Sequence, residues 1–185
     1  PKNTDDDSPK TAPKDPDEDE EGRKLPSVAW TTFRSWTEVG DWYRNLAQSR
    51  AKPTEALRAR AQEITGKAVS PEEQVREIYN FVSTHNRYVG IDFGIGRYQP
   101  HSAAEVLANE YGDCKDKTTL PIAMLQAAGI NAYYVPVDTE RGVVDPDDPS
   151  LAGNHMITAI EVPADVKDAR LQAEIRAVEA KLMVW

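Results

Sequence analysis

At 185 residues, with 39% hydrophobic and 29% charged residues and a formal net charge of −9, the chain is the size of one domain with a sizeable core. The acidic balance argues against a binder of phosphate backbones, which needs clustered Lys and Arg, so nucleic acid is not expected as a partner. One cysteine, Cys114, excludes an internal disulfide framework and a cysteine-only zinc site, and three histidines, His85, His101 and His155, leave little material for a metal cluster.

Residues 1–24 set nine acidic against five basic side chains and hold almost nothing apolar. Such a segment cannot offset its backbone entropy by burial, and it reads as a disordered acidic linker ahead of a domain over 25–185. No signal-peptide core opens the chain. A linker-like start implies that any targeting signal lies upstream, which leaves the compartment open between periplasmic or secreted and cytoplasmic.

Thr37 is expected to cap a first helix with Val39, Trp42, Tyr43 and Leu46 on one face. A second follows Pro53 and Thr54, with Leu57, Ala61 and Ile64 facing inward and Gly66 as its stop. Ser70-Pro71-Glu72-Glu73 forms a capping box for a third, whose apolar face is Val75, Ile78, Tyr79 and Val82. Tyr88 to Ile91 is a short strand candidate. Ser102 to Glu105 is another capping box, for a helix ending near Gly112. Asp113 caps a helix from Cys114 to about Ala128 that buries Leu120, Ala123, Met124 and Ala127, and Pro121 should bend it.

The uncharged stretch Thr118–Val137 is long enough to be tested as a membrane span, but its prolines, Gly129 and polar residues make it a helix followed by a strand. Strands are then expected over Ile130–Val137 and Asn154–Val162, with a Pro- and Asp-rich loop between them and a last strand starting at Leu182. Helices first and antiparallel-type strands later imply an α+β domain.

A lone buried cysteine is ordinarily core filler. Cys114 instead follows Gly112-Asp113 in the first turn of a helix, where free N–H groups and the dipole favour an anion, and the thiolate is the nucleophilic form. Cysteine chemistry on amides also needs a proton carrier. His155, on a strand, is the best candidate, although a strand histidine bonded to a carbonyl is the bland alternative. His85 is read as a cap on helical carbonyls. His101 is read as a loop residue before a helix cap. A metal site from Cys114, His155 and a carboxylate is a poor reading, since zinc sites with one cysteine and no paired histidine are unusual.

Gly112-Asp113-Cys114-Lys115-Asp116-Lys117, then Met124 to Ile130 and Asn154-His155-Met156-Ile157, resemble the transglutaminase-like superfamily. More narrowly they resemble a bacterial branch in which that domain follows a β-rich domain of unknown function, a partner domain the resemblance implies upstream. Arg87 to Ile91 and Tyr98 to His101 resemble the same branch.

The resemblance implies a papain-like α+β fold, Cys114 as nucleophile and His155 as general base and acid. It also implies an aspartate on the strand after the histidine strand, expected just beyond Trp185. The Cys114 backbone N–H is a natural oxyanion donor, and Gln99 or Tyr98 is the candidate for the second. The implied reaction is acyl transfer on amides of a protein or peptide substrate through a thioester, as transglutaminase or as peptidase or deamidase. No cofactor is required. The alternative is a catalytically inactive binding module on the same fold. Oligomeric state is not readable from the chain.

Overall fold

Most helix starts in this chain carry their own cap, and the helical layer follows from them. The computed structural model describes residues 30–90, 93–139, 145–151 and 153–161; the expected linker at 1–24 and strand from Leu182 lie outside the described residues. Helix α1 (Trp36–Ala47) is capped by Ser35 rather than Thr37, its hydroxyl accepting the Glu38 amide at 3.2 Å. The Glu38 carboxylate returns to the Arg34 amide at 2.8 Å, whereas a start at Thr37 would put Gly40 in that place and gain no second bond.

Helix α2 (Glu55–Thr65) starts at Thr54 and ends at Gly66 as expected. Helix α3 (Pro71–His85) starts at Ser70, but the Glu73 carboxylate accepts the Val69 amide, one residue further out than the expected box. Ile78, Phe81 and Val82 are its buried residues, while Tyr79, expected on that face, is 68% exposed. Helix α4 (Ala103–Asn109) has both halves of its box, with Ser102 and Glu105 exchanging bonds of 3.3 and 2.8 Å. It stops short of Gly112 because Glu110 takes a left-handed φ of 56°, turning the chain into a strand.

Helix α5 (Cys114–Ala127) runs unbroken through Pro121. It is buried on nearly every side: Leu120, Ile122, Ala123, Met124 and Leu125 are all essentially inaccessible. The expected single apolar face was therefore too narrow, because α5 packs against α2, α3 and α4 and also against the sheet. Gly129, at φ 80°, ends it in the left-handed conformation that glycine adopts without steric cost.

Among the described residues the strands fall into two pairs. Strand β1 (Arg87–Tyr88) lies parallel to β2 (Tyr111–Gly112), with Tyr88 opposite Gly112, a pairing the local pattern did not predict. Strands β3 (Ala132–Val137) and β4 (His155–Ile160) are antiparallel, from Ala132 opposite Ile160 to Val137 opposite His155. The architecture is α+β, and the N-terminus of its most buried helix holds the cysteine.

Candidate active site

The charged residues around Cys114 hold the start of α5 in place. Gly112 is the only residue that fits its position, since a Cβ there would lie 2.4 Å from the Cβ of Asp116. Asp113 caps the helix, its carboxylate accepting the amides of Lys115 at 3.1 Å and Asp116 at 3.2 Å. The same carboxylate pairs with the buried Lys115 ammonium. Asp116, equally buried, accepts the His101 amide at 2.8 Å and faces His101 Nδ1 at 3.0 Å. Lys117 donates to the Asn86 carbonyl at 2.5 Å, tying α5 to the end of α3. Cys114 is therefore the first helical residue, half-buried, within a neutralised frame.

His155 opens β4 beside Val137. Asn154 closes the adjoining loop, accepting the Thr139 amide at 3.0 Å and donating to Thr139 Oγ1 at 2.9 Å. Thr118 joins the two elements: its Oγ1 lies 2.8 Å from the Cys114 carbonyl and 3.3 Å from the Met156 carbonyl. Cys114 and His155 consequently line the same cleft, of about 480 Å³, together with Trp36, Tyr43, Tyr88 and Tyr98. The Trp36 indole donates to the Pro146 carbonyl at 2.9 Å, holding the end of α1 to a loop whose Asp145, Asp148 and Ser150 also face the cleft.

The other sequence candidates fall differently. Tyr98 lines the cleft and packs edge-on against Trp42, with ring centroids 5.5 Å apart. Gln99 does not line it; its amide accepts from Arg50 at 3.2 Å and donates to the Leu46 carbonyl at 3.4 Å, so it is engaged in holding the turn to α1. His85 ends α3 with Nδ1 3.1 Å from the Phe81 carbonyl and its ring stacked on Phe81, as a capping histidine would be. His101 is fixed by Asp116, and neither of these two histidines lines the cleft. Among the described residues no group of three or more His, Cys, Asp or Glu is placed to hold a metal, and no helix is long and apolar enough to cross a membrane.

Two tyrosines at the cysteine were not singled out from sequence as site residues. The Tyr43 hydroxyl is buried without a hydrogen-bond partner, and burial first, then the neighbouring Tyr134 and Cys114, push its ionisation upward. Tyr88 lines the cleft with Cys114; partial burial, then its proximity to Cys114, raise its phenol above the ordinary range. Burial likewise lifts Tyr134 to about 12, against a hydrogen bond with Thr119 that lowers it. No local spacing marks these residues, because Tyr88 reaches Cys114 only through the β1–β2 register.

A family model described as the transglutaminase-like superfamily matches residues 58–175. The chain also resembles the crystal structure of a "putative protease" from Parabacteroides distasonis ATCC 8503, at 20% identity and a TM-score of 0.59, over 76% of this chain and 30% of that one. A "putative cysteine protease" from Cytophaga hutchinsonii is similar at 19% identity and a TM-score of 0.44, over 62% of this chain and 37% of that one. This chain thus spans about a third of the length of either solved structure. No curated protein matches it.

Proposed function

The chain belongs to the transglutaminase-like superfamily, and from that membership we propose that it carries a cysteine-dependent enzyme acting on amides of a protein or peptide, with Cys114 as nucleophile and His155 as proton carrier. The observation that supports this most directly is one cleft lined both by the first residue of α5 and by the first residue of β4. The Cys114 sulfur attacks the amide carbonyl carbon, and the Cys114 amide stabilises the oxyanion that forms. His155 gives its proton to the departing ammonia or amine, leaving a thioester. It then takes a proton from the second nucleophile, whose attack releases the acyl group and restores the thiol.

Water is the expected second nucleophile. Transfer to an amine requires that water be kept from the thioester, and a half-buried sulfur in an open cleft gives little such screening. By the family resemblance, a carboxylate on the strand that follows β4 would orient the imidazole.

Iodoacetamide at neutral pH tests the pair. Cys114 should be alkylated at least about tenfold faster than a free-thiol peptide, and His155→Ala should remove most of that advantage, in line with the 10²–10⁴-fold contribution typical of a positioned acid or base. Labelling at the free-peptide rate would favour an inert binding module on the same fold. Ammonia release from a glutamine peptide without dansylcadaverine incorporation would identify hydrolysis.

A further inference from the structure

A strand turns alternate residues' main-chain groups toward its neighbour, so every second residue of β1 is directed away from β2. Arg87 N donates to the Glu110 carbonyl at 2.9 Å and Val89 N to the Gly112 carbonyl at 3.0 Å. The N–H and C=O of Tyr88, between them, therefore point to the open side of β1, and among the described residues neither has a backbone partner. This part of the chain borders the cleft. Tyr88 lines it, and so does Gly90, which has no side chain and faces it with its backbone. A Cβ at Gly90 would meet nothing within 4 Å, which leaves room for a second chain to lie alongside.

We propose that an extended segment of the substrate adds to β1 as a further strand, exchanging main-chain hydrogen bonds with Tyr88, so that the site takes flexible polypeptide rather than amides held on a folded surface. The inference deepens the reading of Cys114 as nucleophile and rests on it. The amide under attack lies against the sulfur, so its chain has to leave the cleft along one of the walls. The β1 wall offers unpaired main-chain groups for it. A two-residue strand is too short an edge to recruit another chain by itself, so it holds a segment that the cleft has already positioned. Affinity then comes from the substrate backbone, and its side chains alternate between the two faces of the added strand.

Acetyl-Ala-Ala-Ala chloromethyl ketone tests this in the intact protein: the Cys114 sulfur displaces chloride and forms a thioether, and the tripeptide brings three amide N–H groups. Each rate is divided by that of iodoacetamide on the same protein, which reads the thiol alone. Methylating the three amide nitrogens one at a time should lower this ratio about tenfold at one position and leave an adjacent one within about threefold, since a strand presents alternate amides to its neighbour. Tyr88→Pro removes the N–H on the open side as well as the phenol, and its ratio should fall about fivefold below that of Tyr88→Ala. Should Tyr88→Pro not fold, the methylation series decides alone. A ratio unmoved by all three methylations, or lowered equally by all three, would overturn strand addition, as would equal ratios for the two variants. If wild-type Cys114 reacts with both reagents no faster than a free-thiol peptide does, the nucleophile falls and this proposal with it.

Discussion

Asp113 shows how much one residue does at the start of α5. It accepts two amides that the helix would otherwise leave without partners, and it neutralises Lys115 in a buried position. Removing the carboxylate takes both roles away, whereas removing the ammonium leaves the cap in place. Asp113→Ala should therefore cost about 3–5 kcal/mol, the range for breaking a buried ion pair. Lys115→Met should cost less by at least about 1 kcal/mol, the usual worth of the retained cap. Urea unfolding of the two variants at pH 7 reads this order directly, and a larger loss for Lys115→Met would show that the cap matters little. Cys114 itself was legible as an unusual cysteine because its singularity and its place after Gly112-Asp113 are both local features. Its neighbour Tyr88 was not, because 26 positions of chain separate the two.

At the scale of single elements, the starts of α2, α3, α4 and α5 were read from the cap residue ahead of each. The Ser102–Glu105 box of α4 carries a pH signature. Hydrogen bonds from the Ser102 hydroxyl and amide hold the Glu105 carboxyl below the usual glutamate range. A folded pKa depressed below its unfolded value of about 4.3 gives stability that is present above that value and fades as pH falls through the folded pKa. Wild type and Ser102→Ala should therefore differ by about 1 kcal/mol at pH 7. The gap should narrow between about pH 5 and pH 3, as seen in denaturant midpoints at each pH. A gap unchanged at pH 3 would mean that the serine acts through its own cap bond alone. Where a start was misread, at Thr37, two hydroxyl residues competed two positions apart, and the one with Glu38 three residues on formed the cap.

Among the described elements α5 packs against α2, α3, α4, β2, β3 and β4, so its apolar side chains carry an outsized share of stability. Leu120 is completely inaccessible, and Leu120→Ala should cost about 2–5 kcal/mol through lost transfer energy and the cavity left behind. Tyr79→Ala, on the exposed side of α3, should stay within about 0.5 kcal/mol. Thermal unfolding of both variants checks this contrast, and a comparable loss in the two would move the centre of the core toward α3. The same centrality serves the site, since a helix clamped by α2, α3, α4 and both strands of the β3–β4 pair holds its first residue still against β4.

The sequence by itself determined the α+β class, the start of α5 at Cys114, the strand that carries His155 and the capping place of His85. Each of these is written in residues within about one helical turn or a few strand positions of one another, where caps and alternation operate. Only the tertiary structure decided that β1 and β2 run parallel, that Gln99 is engaged by Arg50, that Asp116 takes His101, and that Tyr43 and Tyr88 line one cleft with the cysteine. Those contacts join residues 15 to 71 positions apart, and their selection depends on which surfaces the buried helix brings together, something no local pattern encodes.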